Sequence, residues 1–336
     1  LMKNILVTGA SGFIGSFIVE EALKKGLSVW AGVRPTSSKA YLKQEELHFI
    51  SFDFDDSDKL REQLLLFKQQ EGGFDYIVHC AGVTKCVHQS DFDRVNYWQT
   101  KRFVDLLCEL QMVPTQFIHI STLSVFGPIH EETYQPIVEQ DRPQPNTAYG
   151  MSKLKAEQHL QQLPDFPYVI LRPTGVYGPR ERDYFMMAQS IKKHLDFSVG
   201  YKKQDLTFIY VKDIVQAVFL AIEKGVKQRS YFLSDGKVYS SRTFSELIQK
   251  ELCISFVIRI KCPLIILKVI SLLAEFFAGI SGKSSTLNSD KFKIMKQRNW
   301  QCDITPLVNE LGYKPEFDLQ KGVKETIAWY KKEGWL

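Results

Sequence analysis

The chain has 336 residues, 44% of them apolar and 24% charged, with a formal net charge of +5. That balance excludes disordered and collagen-like chains, and so small a charge gives no basis for nucleic-acid binding. The six cysteines (Cys80, Cys86, Cys108, Cys253, Cys262 and Cys302) show neither a C-x-x-C pair nor a metal spacing. A reduced, cytoplasmic protein without a metal is expected.

The start, Met2-Lys3-Asn4-Ile5-Leu6-Val7-Thr8, reads as a strand rather than a signal peptide. Further strands are expected at Ser28–Val33, His48–Phe52, Tyr76–Cys80, Phe117–Ile120 and Val169–Arg172. The gaps between them are long enough for crossover helices. Unbroken apolar strands alternating with helices predict a doubly wound parallel sheet of Rossmann type, with helices on both faces.

Between the first strand and its helix lies Thr8-Gly9-Ala10-Ser11-Gly12-Phe13-Ile14-Gly15, with the spacing G-x-x-G-x-x-G. Glycines there let the backbone approach a pyrophosphate, and a helix N-terminus presents free N–H groups to it. An NAD-preferring fold places an acid about 20 residues on. This chain has Arg34, followed by Ser37, Ser38 and Lys39. A guanidinium pairs with a 2′-phosphate, so NADP is favoured, with NAD the alternative. Asp53, closing the third strand, is placed to accept from the adenine amino group, or else to serve as a turn or helix-cap aspartate.

Strand five ends in Ser121-Thr122, followed by Leu123-Ser124. A hydroxyl there would hold a substrate oxygen for hydride transfer, with Thr122 ahead of Ser121 and Ser124. Tyr149-Gly-Met-Ser-Lys153 is a Y-x-x-x-K pair, which a helix places on one face. A neighbouring ammonium and an oxidised nicotinamide favour the phenolate, which makes Tyr149 an acid/base for an alcohol or ketone.

From about Tyr177 the pattern is irregular. A strand–helix unit returns at Leu206–Ile222, with Asp213 as a helix N-cap. The stretch from Tyr239 to Leu336 is mostly helical, with a turn at Leu311-Gly312-Tyr313-Lys314-Pro315. Pro263–Ile280 is the most apolar run but carries Lys268 and Glu275. It is short for a bilayer span, so no transmembrane span is expected. A packed amphipathic helix is expected, with an apolar substrate wall or membrane-surface contact as alternatives. Residues 1–175 and 206–233 are assigned to dinucleotide binding. Residues 176–205 and 234–336 form a smaller, mostly helical substrate domain interleaved with it.

Together these motifs resemble the extended short-chain dehydrogenase/reductase superfamily, in its NAD-dependent epimerase/dehydratase family. The resemblance rests on the glycine loop, Asp53, His79-Cys80-Ala81-Gly82, Asn96 and Tyr149/Lys153. It extends through Arg172-Pro-Thr-Gly-Val-Tyr-Gly-Pro179, Phe208–Asp213 and the Leu311–Pro315 tail. It implies a catalytic triad of Thr122, Tyr149 and Lys153, with Lys153 also bonding the nicotinamide ribose. It implies cofactor contacts at Gly9, Ser11, Gly12, Phe13, Ile14, Gly15, Arg34, Asp53, Phe54, Cys80, Ala81, Gly82, Asn96 and Pro173. Thr84, Ser124, Gly175 and Arg180 are substrate candidates. Homodimers through helices near Asn96–Leu110 and Tyr149–Leu163 are implied as well.

The chain also departs from that family. Leu123 and Ser124 stand where sugar-nucleotide dehydratases carry Asp and Glu. Gly175 replaces an Asn, and Leu206 replaces an Arg that clamps a diphosphate, although Arg180, Arg182, Lys202 or Lys203 could substitute. Arg34 and the Pro263–Ile280 run point toward the branch similar to dihydroflavonol reductases and 3β-hydroxysteroid dehydrogenases. The expected activity is NAD(P)-dependent hydride exchange with a small secondary alcohol or ketone. A sugar-nucleotide epimerase with retained NAD is the alternative, and a non-catalytic cofactor-binding protein the second.

Overall fold

The structure is a computed structural model that describes residues 2–280 and 287–336. Seven parallel strands form one sheet. They are β1 (Asn4–Thr8), β2 (Ser28–Gly32), β3 (His48–Ile50), β4 (Tyr76–His79), β5 (Gln116–Ile120), β6 (Tyr168–Pro173) and a seventh, Arg229–Leu233. From one edge the order is Arg229–Leu233, β6, β5, β4, β1, β2, β3. Every neighbouring pair is parallel. Helices cover both faces, as the continuous burial of β4 and β5 requires. The chain reverses its winding between β1 and β4, and ligands of such sheets bind at the carboxyl ends there.

Several expected boundaries move. β2, β3 and β4 stop one or two residues early, so Asp53 lies in the turn beyond β3 rather than at its end. Arg229–Leu233 was not anticipated as a strand, because its mixed Arg-Ser-Tyr-Phe-Leu run sits at a sheet edge. Asp213 is not the N-cap of its helix. That helix runs Val211–Lys224 from Tyr210, and the Asp213 carboxylate instead accepts from Glu316 N (3.0 Å) and Phe317 N (3.2 Å). It thereby fastens the C-terminal segment to the sheet domain.

A separate apolar cluster around Tyr177, Ala188, Phe208, Phe244, Val323 and Tyr330 lies beyond the sheet's carboxyl edge. The helix Leu264–Ile280 departs from the packed amphipathic reading. Through Phe276 its buried side chains are Leu267 and Ser271, while Ile265, Val269, Leu272 and Leu273 are exposed. Among the described residues no helix is long and apolar enough to cross a membrane.

Candidate active site

The loop after β1 is shaped by what its glycines lack. Gly9 has φ +65°, in the left-handed region, and a Cβ there would lie 2.9 Å from the Cys80 carbonyl. A Cβ on Gly15 would lie 2.3 Å from Gly9 O. Gly12 N donates to Gly9 O at 2.9 Å and closes the turn. The helix Phe13–Lys24 then starts from Gly12 with no side-chain cap and no acid in its first turn. Ser11, Phe13 and Ile14 sit at this uncapped end. A positive helix terminus with its N–H groups unclaimed by a side chain fits a pyrophosphate.

The facing wall comes from the end of β4. His79 is buried between Thr8 Oγ1 (2.9 Å) and Thr100 Oγ1 (3.0 Å), and burial pushes its imidazole down to about 3, so it is neutral. Ala81 N donates to Thr8 Oγ1 at 3.2 Å. Burial pushes the Cys80 thiol up to about 12, which leaves it inert. Asn96, buried in a π-helical turn (Asp93–Trp98), accepts from Val83 N at 2.8 Å and donates to Val83 O and Ser152 Oγ, both at 3.0 Å. A Cβ on Gly82 would lie 2.9 Å from Asn96 Oδ1. Asn96 therefore fixes the loop that begins at Ala81 and Gly82, next to the Tyr149 helix.

Arg34 extends from the end of β2 into solvent, with no acidic partner among the described residues. Asp53 is half-exposed. Its Oδ1 accepts from Asp55 N at 3.2 Å and its Oδ2 lies 3.7 Å from Lys59 Nζ. Phe54 packs edge-on against Phe103 and His79 beneath that rim.

Tyr149 and Lys153 occupy one face of the helix Ala148–Gln162, which Thr147 caps through Gly150 N. Lys153 is buried and donates to Ile120 O at 2.7 Å, so it ties the helix to the end of β5. Desolvation lowers its ammonium to about 8, against the opposing pull of Glu157. Burial pushes the Tyr149 phenol up to about 12, and a hydrogen bond with Thr122 works the other way. In the protein alone this runs opposite to the lowering expected with an oxidised nicotinamide alongside, because desolvation of the phenolate outweighs the Thr122 hydrogen bond. Thr122 Oγ1 also accepts from Ser124 N at 3.1 Å and starts the short 3₁₀ turn Leu123–Val125.

Thr122 and Ser124 open onto a cavity of about 490 Å³, which Pro173 and Gly175 also line. Its outer wall carries Met186, Met187, Phe197, Phe208, Phe244 and Trp300, so it is largely apolar. At one side Asp183 bridges Lys85 Nζ (2.5 Å) and Lys291 Nζ (2.9 Å). Burial would raise that carboxyl, but the two lysines outweigh it and hold it below its ordinary value. A side chain on Gly175 would meet the Tyr184 hydroxyl at 2.8 Å.

Two substrate candidates are not brought to this cavity. Arg180, at φ +76°, donates to Ser16 Oγ (2.9 Å) and Glu20 Oε1 (2.5 Å) and stacks over Phe17 and Tyr41. It braces the glycine-loop helix instead. Thr84 is exposed on the loop after Val83, outside the cavity lining.

The sequence reading missed the support beneath Lys153. Glu157 is fully buried, accepts from Ser121 Oγ and forms a forked pair with Arg172 (Nε to Oε2 3.1 Å, Nη2 to Oε2 2.7 Å). Its position four residues after Lys153 was the available signal. The Lys85–Asp183–Lys291 cluster had none, because its members lie 98 and 108 residues apart.

A glycine turn at the sheet's switch point and a Tyr–Lys helix against a strand-end threonine define a nicotinamide-dinucleotide enzyme. The NAD dependent epimerase/dehydratase family model matches residues 5–234, and the chain belongs to that family. It is 29% identical to the Bacillus subtilis protein named as uncharacterized UDP-glucose epimerase YtcB, over 97% of each chain. It is 24% identical to the decarboxylating sterol-4-alpha-carboxylate 3-dehydrogenase of Dictyostelium discoideum, over 96% of this chain and 100% of that one. The fold matches the UDP-glucose 4-epimerase of Thermotoga maritima solved with UDP-glucose. That likeness has a TM-score of 0.78 at 21% identity, over 98% of this chain and 99% of that one.

Proposed function

We propose an NADP-dependent oxidoreductase that interconverts a secondary alcohol and a ketone. The observation that carries it is the placement of Tyr149, one turn before the buried Lys153 on its helix, beside Thr122, which lines the cavity. Thr122 would hold the substrate oxygen at the cavity wall. Tyr149 would donate its phenolic proton to that oxygen in reduction and take it back in oxidation. Lys153 would stabilise the phenolate left behind. When bound, the cofactor supplies or accepts the hydride. The glycine loop and the uncapped helix end would hold its pyrophosphate, and Arg34 its 2′-phosphate. Residues 176–205 and 234–336 would build the substrate side. Trp98 and Met151, exposed on or beside the two helices expected to pair, suit a homodimer contact.

Dehydration is disfavoured, because Leu123 and Ser124 follow Thr122 with no carboxylate. The second reading is a nucleoside-diphosphate-sugar epimerase, which the names of YtcB and of the Thermotoga protein favour. Gly175 and Leu206 stand in place of two anticipated diphosphate contacts, and Arg180 is engaged by Ser16 and Glu20. Mass spectrometry of the as-purified protein separates the two. Exchangeable NADPH, and its oxidation by a panel of ketones, supports the first. Retained NAD with isomerisation of a UDP-sugar and no net redox change supports the second. Cofactor binding with no turnover on either panel would leave only a binding role.

A further inference from the structure

The helix Leu264–Ile280 turns its apolar side away from the protein. Leu267 and Ser271 form its buried stripe, and Ser271 Oγ donates to Leu267 O at 2.7 Å. Ile265, Ile266, Val269, Ile270, Leu272 and Leu273 are all exposed, Ile265 to 80%. At 3.6 residues per turn these six span roughly 160° of arc, a continuous face rather than scattered side chains. None of the six lines the Thr122 cavity, so these helix side chains do not form the substrate wall.

The apolar surface continues past the helix. The strand Ile258–Cys262 pairs in parallel with Leu195–Val199 and runs through Pro263 into the helix. Phe197 and Ile258, both 57% exposed, and Tyr201, 71% exposed, come from this pair and its turn. Gly200 holds the turn against the helix. It donates to Cys262 O at 2.9 Å, and a Cβ on it would lie 3.6 Å from the Leu264 side chain.

Cations outnumber anions around the face. Arg259 is paired with Glu246 and Lys203 with Asp205, and the one carboxylate among the described residues of the helix, Glu275, is held by Ser289. Lys202, Lys261 and Lys268 are exposed with no acidic partner among the described residues. Lys261 rests over the Tyr201 ring at 5.8 Å. A twofold contact between two copies through this face would bring these cations together and repel. Anionic headgroups over an apolar layer complement both features, and among the described residues no helix is long and apolar enough to cross a membrane.

The geometry points to peripheral docking of this face on an anionic bilayer surface, with Leu264–Ile280 lying in the plane of the interface. Phe197 belongs both to the face and to the cavity wall. Docking therefore sets the Thr122 cavity beside the lipid.

The test is co-sedimentation of the full chain with vesicles of phosphatidylcholine and phosphatidylglycerol, and with vesicles of phosphatidylcholine alone. Binding to the mixed vesicles is expected to weaken on the order of 100-fold when the anionic lipid is omitted, as three unpaired lysines predict. The double variant Ile265→Glu/Leu272→Glu should lose sedimentation while keeping the wild-type far-UV circular dichroism and a cooperative thermal transition, which show that it is folded. Lys202→Gln/Lys261→Gln/Lys268→Gln, which leaves the apolar face intact, should bind both vesicle types alike. Wild-type protein that stays in the supernatant, or an Ile265→Glu/Leu272→Glu variant that sediments as wild type, overturns the proposal. So does a lipid-free dimer in sedimentation velocity that the same variant dissolves, because a second copy would then cover the face.

Discussion

Lys153 donates its ammonium proton to the carbonyl of Ile120 at 2.7 Å, in a site closed to solvent. This bond sets the Tyr149 helix against the end of β5, where Thr122 stands. The ammonium of the free protein titrates near 8, and it is charged below that value and neutral above it. The free-enzyme groups appear in kcat/KM. For ketone reduction we expect kcat/KM to fall about tenfold per pH unit above about 8. Lys153→Arg, whose guanidinium stays charged, should move that limb upward, and Lys153→Met should remove it at a lower plateau.

Arg34 is expected to select the cofactor. Arg34→Ser removes one charge-assisted contact to a 2′-phosphate, worth about 1.5–3 kcal/mol. The KM for NADPH should rise roughly 10- to 100-fold while that for NADH changes little. Steady-state kinetics with both cofactors check it, and an equal effect on the two would remove Arg34 from the site.

Glu157 and Arg172 form a buried forked pair. Glu157→Gln leaves the guanidinium buried without a counter-charge. We expect a loss of about 3–5 kcal/mol in urea unfolding. The larger part should be a fall in stability rather than a selective fall in kcat.

Asp213 carries an acid raised to about 6 by burial, against the two backbone N–H groups that bond it. A raised acid binds its proton more tightly in the fold than in the unfolded chain. The stability gained from protonation is therefore present at low pH and is lost as pH rises through about 6. Relative to Asp213→Asn, the wild type should lose up to about 3 kcal/mol between roughly pH 4 and 7, read by unfolding at each pH.

The parts of the site that lie within one strand–turn–helix unit were legible in the sequence. The glycine loop needs a left-handed Gly9 and a bare Gly15, and Tyr149/Lys153 needs only helical spacing. The seventh strand was not legible, because Arg229-Ser-Tyr-Phe-Leu gains its place from pairing with β6. Arg180 read as a free cation because Ser16 and Glu20, its partners, lie more than 150 residues away in the chain. The apolar run at 264–280 was visible as a helix, but which side it buries is set by tertiary contacts that composition does not carry.

Replacing Tyr149 with Phe tests the central claim most directly. The change removes one hydroxyl and keeps the ring packed against Phe92. On any ketone that the wild type reduces with NADPH, the variant should bind NADPH normally by fluorescence and lose about 10²- to 10⁴-fold in kcat. Reduction at near the wild-type rate would show that the proton comes from elsewhere and would contradict the assignment.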